Sequence, residues 1–360
     1  MIFEMPTKIV VGAINEQAQL LKDLGTKACI VTGFSSSKKN GSLDDVIGAL
    51  KSVDINYMVF DRIEENPKLE TLEQAKDEAL KEGCDFVIGI GGGSPLDAAK
   101  GIAIMIKNPH IGANNLVGNG KLDATPVVAV PTTAGTGSET TQYAILTDTK
   151  LGTKINFGQK VFPVIAFLDA KYMMDMPVDV TRSTALDAFS HLAESFLSLR
   201  SNMLSEIFVK EGLTLFRKCI PALLEGIFTK EDRENLLITS TLGGIAIAQT
   251  GTLIPHTMGY SMTYYKQIPH GIANIMFYRE YLSSFKDKTK VNTIVELLGF
   301  KDLAELCNMI DKLVEVKISC TDDEIKKYTD YVFREKAKLA NHPDHITEQD
   351  IYRIYRESIS

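Results

Sequence analysis

The sequence predicts an α/β domain built on a parallel sheet over residues 1–178, followed by an all-α domain over residues 179–360. Three observations predict it. Short β-rich apolar runs alternate with helical patterning in the first half, as in sheets with crossover helices. Clusters of glycine and hydroxyl residues come directly after those runs. Beyond about Asp179 the strand signals fade and only helical spacing remains. At 360 residues the chain is also long for a single core.

Lys27–Thr32 is the first strand-like run and ends at Gly33. Asn56–Phe60 is a weaker second, followed by Glu65-Asn-Pro67. From Leu69 to Gly83 apolar residues recur at helical spacing between charges. Asp85–Ile90 makes a third strand, Ala98–Lys107 a helix and Pro126–Val130 a fourth strand. Period-2 patterning gives way near Met176-Pro177. Helices are expected over Thr184–Glu194, Leu204–Cys219, Glu231–Thr250, Gly271–Leu282, Leu303–Val316 and Asp322–Ala340. Ile346–Tyr355 is a last amphipathic one, with Thr347 at its start. There is no internal repeat or low-complexity segment.

In parallel sheets of this kind ligands bind beyond the carboxyl ends of the strands. Gly89-Ile-Gly-Gly-Gly-Ser-Pro-Leu-Asp97 lies there, between the third strand and its helix. Gly91, Gly92 and Gly93 let backbone approach a ligand, and helix N-terminal amides favour an anion. Ser94 suits a cap, Pro95 the first turn and Asp97 the positive end of the helix. The stretch reads as a diphosphate cradle or a tight strand–helix turn, and its spacing matches neither GxGxxG nor a P-loop. Pro131-Thr-Thr-Ala-Gly-Thr-Gly-Ser-Glu-Thr-Thr141, after the fourth strand, suits a nucleotide-contacting loop or a plain polar one. In Gly33-Phe-Ser-Ser-Ser-Lys-Lys-Asn-Gly41 there is no acid to read ribose hydroxyls. Gly33, Ser35, Ser36 and Ser37 with Lys38 and Lys39 supply donors and charge for a 2′-phosphate, which favours NADP(H) over NAD(H). An ordinary solvated turn has the same composition.

In the second half, Asp187 and His191 are four apart in Thr184-Ala-Leu-Asp-Ala-Phe-Ser-His-Leu-Ala-Glu194 and project from one helical face. With His256 and His270 they make one carboxylate and three imidazoles, a divalent-metal donor set with room for a substrate oxygen. An Asp–His pair at this spacing serves equally as a surface pair or a cap. Met258, Tyr260, Met262, Tyr264 and Tyr265 lie between the last two histidines, and Lys266 is the only charge there. Such residues line a site for a small uncharged substrate or simply fill a core. Thr241–Gly251 is rich in small residues, suited to close packing of helices or of a helix on a ligand.

Composition narrows the class. The net charge of −7, without a long basic block, argues against nucleic acid. Five dispersed cysteines without CxxC spacing read as reduced thiols. The start lacks signal-peptide character and no apolar run reaches membrane-spanning length, so a cytoplasmic, non-membrane protein is expected.

On Gly91–Asp97, Pro131–Glu139, Asp187-Ala-Phe-Ser-His191, His256 and His270-Gly271, all in the family's order, the chain resembles the iron-containing (group III) alcohol dehydrogenases, including NADP-dependent butanol dehydrogenase-like members. The resemblance covers essentially the whole chain. It implies a Rossmann-like nucleotide-binding domain, a helical catalytic domain and dehydroquinate synthase-like architecture. It implies Asp187, His191, His256 and His270 as ligands of a catalytic Fe²⁺, or Zn²⁺ in some relatives. Gly91 to Ser94 would hold the diphosphate, and Thr132, Thr133 and Ser138, in the loop that also carries Thr136, the nicotinamide half. Lys154 would reach the ribose, and Asn66-Pro67 matches a turn lining the cofactor cleft. Many members carry a histidine four residues after the third ligand, credited with proton transfer; this chain has Tyr260. Tyr260 or water is then the proton carrier.

The expected activity is reversible hydride transfer between NADP(H) and a small primary alcohol or aldehyde by a homodimer. A zinc polyol dehydrogenase of the glycerol type is the nearest alternative, disfavoured by the fourth ligand. A dehydroquinate synthase-like lyase needs several Lys and Arg around an anionic substrate, and a non-catalytic nucleotide-binding module leaves the four ligands without a purpose.

Overall fold

The computed structural model describes residues 3–117, 120–150 and 152–359. It divides into two compact units, Glu4–Met176 and a second formed by Met1–Phe3 with Pro177–Ser360. Phe3 belongs with the second unit because its ring stacks on Phe208 at 5.6 Å.

The first unit holds eight strands among the described residues: β1 (Lys8–Val11), β2 (Lys27–Gly33), β3 (Asn56–Ile63), β4 (Phe86–Gly91), β5 (Val127–Pro131), β6 (Ile145–Asp148), β7 (Thr153–Asn156) and β8 (Ile165–Leu168). Six form one sheet in the order β1-β8-β5-β4-β2-β3, every neighbouring pair parallel. The four strands expected from the sequence are present. β1 and β8 add two more, and their four-residue length left too short a pattern to read. β6 and β7 form a separate antiparallel hairpin, also unforeseen.

Helices α1 (Ser36–Lys39), α2 (Ser42–Ser52), α3 (Leu69–Glu82) and α4 (Gly93–Lys107) connect the strands. Successive strand side chains point to opposite faces. Cys29 and Val31 of β2 therefore pack with Leu72 of α3 and Ile102 of α4, while Ala28 and Ile30 pack with Val46 and Leu50 of α2. Both faces are covered, and β4 is buried along its full length, as central parallel strands are. The chain leaves β2 for β3 on one side and returns to β4 on the other. Loops after β2, β4 and β5 thus emerge around the reversal of strand order, where open α/β sheets bind ligands.

The second unit contains α5 (Val178–Leu197), α6 (Met203–Glu225), α7 (Lys230–Thr250), α8 (Ile254–Lys266), α9 (His270–Ile275), α10 (Tyr278–Ser284), α11 (Thr289–Leu297), α12 (Leu303–Leu313), α13 (Asp322–Arg334), α14 (Lys336–Leu339) and α15 (Glu348–Ile359). α5 is buried on all sides from Ala185 to Leu197, the mark of a core helix. Its Phe189 packs on Phe216 and Tyr278, with ring centroids 5.3 and 5.8 Å apart. α6 and α7 start in capping boxes, Asn202 with Ser205 and Thr229 with Asp232. The expected helix Gly271–Leu282 is broken between Ile275 and Tyr278, and that over Asp322–Ala340 breaks at Glu335. α8 occupies the stretch read only as an apolar lining, with a proline in its first turn.

Candidate active site

The metal-ligand candidates all lie in the helical unit. α5 carries Asp187 and His191 one turn apart; α8 carries His256 near its start, and His270 opens α9. The Nε2 atoms of His256, His270 and His191 stand 3.6, 3.9 and 4.0 Å from Asp187 Oδ1. Donor atoms of Asp187, His256 and His270 all lie within 4.8 Å of one another. His191 does not join that tightest set, but its ring stacks on His256 at 4.6 Å between centroids and 24° between planes. Donors about 2.1 Å from a tetrahedral ion stand about 3.4 Å apart, so these separations are slightly expanded from a ligand sphere. His256 Nε2 is buried with no hydrogen-bond partner, an orphaned ring nitrogen of the kind a metal satisfies. One carboxylate and three imidazoles fit Fe²⁺ or Zn²⁺.

Electrostatics agree with that donor set. Burial works to raise the Asp187 carboxyl, but His191, His270 and His256 outweigh it and hold it well below the usual carboxylate range. Burial works to lower His256, yet the Glu194 and Asp187 carboxylates push it up to about 9.

Close approach of helices builds the cluster. A Cβ on Gly271 would stand 1.8 Å from the Ser183 carbonyl oxygen and 3.0 Å from Asp187 Cβ, so only glycine lets α9 bring His270 against α5. At Gly243 a Cβ would meet the Ala188 carbonyl and His191 Cβ at 3.3 Å. The small residues of Thr241–Gly251 therefore pack α7 against α5, behind His191. Tyr260 lies with its ring 5.8 Å from that of His270, at 20°.

Two residues not foreseen complete the surroundings. Glu194 is fully buried; its carboxylate lies 2.7 Å from His256 Nδ1 and accepts hydrogen bonds from the Leu253 amide at 2.6 Å and the Tyr278 hydroxyl at 3.2 Å. Asn274 donates to Asp187 Oδ1 at 3.1 Å and lies 3.2 Å from His270 Nε2. Spacing held the signal: Glu194 is three residues beyond His191 in the same buried helix, and Asn274 is four beyond His270.

In the α/β unit the glycine-rich turn and the hydroxyl loop interlock. Gly91 has φ +145°, and a Cβ there would strike Pro95 Cγ at 2.7 Å. A Cβ on Gly92 would meet Thr133, and one on Gly93 would meet Thr136 at 2.7 Å. The Thr132 amide donates to the Gly91 carbonyl at 2.9 Å. Ser94 departs from the expected cap: Gly92 precedes the helix, and the Ser94 hydroxyl accepts from the Asn66 amide at 3.1 Å. Asp97 does more than face a helix terminus, since it accepts from the Ser138 hydroxyl and from the Ile145 amide at 2.9 Å. Lys100, fully buried and overlooked in the sequence, donates to Ser138 and to the Tyr143 carbonyl at 2.7 and 2.6 Å. Burial lowers its ammonium to about 8, against the pull of Asp97 and Glu139. The Asn66 and Pro67 carbonyls accept from Thr147 of the hairpin, opposite buried Lys154.

After β2, Ser35, Ser36 and Lys39 are exposed. Ser37 departs from the expected cofactor contact: it is fully buried and its hydroxyl accepts from Thr32 at 2.8 Å, which builds the turn. Lys38 pairs with Asp61 of β3, an acid the linear sequence hid from this loop.

Residues 6–170 match the family described as "Iron-containing alcohol dehydrogenase", and residues 181–359 match "Fe-containing alcohol dehydrogenase family, C-terminal". The NADPH-dependent butanol dehydrogenase of Clostridium saccharobutylicum is 28% identical over 91% of this chain and 84% of its own. The NAD-dependent methanol dehydrogenase of Bacillus methanolicus is 27% identical over 76% and 72%. The crystal structure of an iron-containing alcohol dehydrogenase from Thermotoga maritima superposes with a TM-score of 0.93 at 36% identity, over 99% of each chain. The chain belongs to the iron-containing alcohol dehydrogenase family. Its reaction class is the metal-dependent oxidoreduction of alcohols and aldehydes.

Proposed function

We propose that the protein transfers hydride reversibly between NADP(H) and a small primary alcohol or its aldehyde, at an Fe²⁺ held by Asp187, His191, His256 and His270. The observation that carries the proposal is the convergence of three imidazole Nε2 atoms on Asp187 Oδ1, with that of His256 buried and unpartnered. A divalent ion supplies Lewis-acid polarisation of the substrate oxygen, the effect that brings a bound water from a pKa of about 15.7 to near 7. Asp187 offsets the ion's charge, and burial of Asp187, His191 and His256 excludes competing water. Gly91, Gly92 and Gly93 and the first amides of α4 receive the diphosphate. Thr132, Thr133, Thr136, Ser138 and Lys154 take the nicotinamide half, and Asp97 with Lys100 braces that loop from beneath. Gly33, Ser35, Ser36 and Lys39 take the 2′-phosphate; the charge of Lys38 is shared with Asp61. Tyr260, stacked on His270, relays the proton.

The competing readings lose support. Lys266, the cation nearest the apolar lining in sequence, is engaged by Glu324 at 2.7 Å, which leaves an anionic lyase substrate poorly served. His191, 4.0 Å from Asp187, supports a fourth ligand, which the polyol reading lacks. We further propose a cytoplasmic homodimer, checked by light scattering.

The test is anaerobic reduction of butyraldehyde by chelator-stripped protein, before and after Fe²⁺, with NADPH and NADH compared. Fe²⁺-dependent oxidation of NADPH is expected, and His256→Ala abolishes it. Recovery with Zn²⁺ but not Fe²⁺ refutes the iron assignment; preference for NADH refutes the roles of the Gly33–Lys39 residues. Tyr260→Phe is expected to lower turnover about 100-fold with metal retained, and unchanged turnover would hand the relay to water.

A further inference from the structure

The Glu194 carboxylate sits on the far side of His256 from Asp187. Its Oε1 is 2.7 Å from His256 Nδ1, and its Oε2 accepts the Leu253 amide at 2.6 Å. Tyr278, whose hydroxyl also reaches the Ser190 carbonyl at 3.2 Å, donates to Oε1 at 3.2 Å. Both carboxylate oxygens are thus committed to donors, in a place with no access to water. A carboxylate has no proton of its own to offer there. In the neutral ring that binds a metal, Nδ1 must then carry the hydrogen, which leaves the Nε2 lone pair free and directed toward Asp187.

We infer that Glu194 is a positioning residue for metal binding: it fixes His256 in the Nδ1–H tautomer, orients its ring and strengthens Nε2 as a ligand. This rests on the metal site proposed above. Carboxylates that accept from the second nitrogen of a ligating histidine act in this way, and their loss typically lowers metal affinity about 10- to 100-fold. Glu194 touches neither substrate nor cofactor in this role.

Glu194→Gln is the discriminating variant, because an amide cannot serve both neighbours. With its oxygen on the Leu253 amide, its NH₂ faces Nδ1 and forces the ring hydrogen onto Nε2, the ligating atom. Turned round, two donors collide at Leu253. Chelator competition with Zn²⁺ and with Co²⁺ is expected to show affinity about 10- to 100-fold lower than wild type. The metal-free melting temperature should fall as well, because a buried charge pair is broken, so the readout specific to the tautomer is a shift of the Co²⁺ ligand-field bands. Wild-type affinity in Glu194→Gln, alongside lost binding in His256→Ala, overturns the role of Glu194 alone. Undiminished binding in His256→Ala overturns the metal site itself. A second measurement needs no variant: proton NMR of the Co²⁺-loaded wild type should show a paramagnetically shifted His256 Nδ1–H that persists in D₂O, shielded by buried Glu194. Exchange at the rate of an exposed imidazole would overturn the inference.

Discussion

His256 holds the sharpest consequence at the scale of single residues. Its neighbours raise its folded-state pKa to about 9, above the ordinary value of 6.5. A raised base contributes stability that is present below pH 6.5 and lost as pH climbs through 9. Metal binding needs the neutral ring, so it must expel this proton. Apparent metal affinity is therefore expected to rise about tenfold per pH unit between roughly 7 and 9, and proton release during calorimetric titration in buffers of different ionisation enthalpy checks this. Affinity that does not vary with pH would contradict it. Gly33 offers a second test. An acid in the loop at the end of β2 would read ribose hydroxyls and repel a 2′-phosphate, so Gly33→Asp should turn preference from NADPH toward NADH, read as the ratio of the two kcat/KM values.

Among elements, α9 and the hydroxyl loop are placed by atoms that cannot be moved cheaply. Gly271→Ala would drive a methyl into the Ser183 carbonyl. Overpacking of this kind costs about 1–3 kcal/mol, occasionally more, and here the strain is relieved by lifting His270 away from Asp187. Lower melting temperature and weaker metal binding together are expected; a lower melting temperature alone would show that α9 yields without moving its histidine. Lys100→Met removes the donors to Ser138 and Tyr143 and takes from Asp97 the buried cation 3.7 Å away. Breaking a buried charge pair costs about 3–5 kcal/mol, which urea unfolding would register. KM for the dinucleotide should rise as Ser138 loses its anchor.

The whole molecule comprises two compact units, with the donor cluster in the helical unit and the glycine-rich and hydroxyl loops proposed for the dinucleotide in the α/β unit. Ligands that bind only the folded state stabilise by mass action, about 2.7 kcal/mol at 100 times Kd. Calorimetry with metal alone should therefore raise the melting of the helical unit, and NADPH alone that of the α/β unit. No single described helix is long and apolar enough to cross a membrane. α7 and α8 reach that length and apolarity only together, as a pair bent by 114°, and their apolar side chains are largely buried inside the unit.

Much of this was legible in the linear chain because its signals are local. Four strands, most of the helices, the Gly91–Gly93 turn and the candidates Asp187, His191, His256 and His270 all stand in patterns of a few residues. What only tertiary structure decided depends on residues far apart in sequence. Short β1 and β8 become strands because the sheet supplies their partners, not because four residues specify one. Ser37 turns inward to Thr32, and Lys38 meets Asp61 across neighbouring strands, so a loop that reads as uniformly cationic is not. Asp97 and Lys100 are drawn together with Ser138, about forty residues on, by burial beneath a shared loop. Glu194 meets His256 across 62 residues. Patterning and turn chemistry act between neighbours along the chain, whereas the hydrogen-bond partner of a buried charge is set by whichever helix the packed core brings against it.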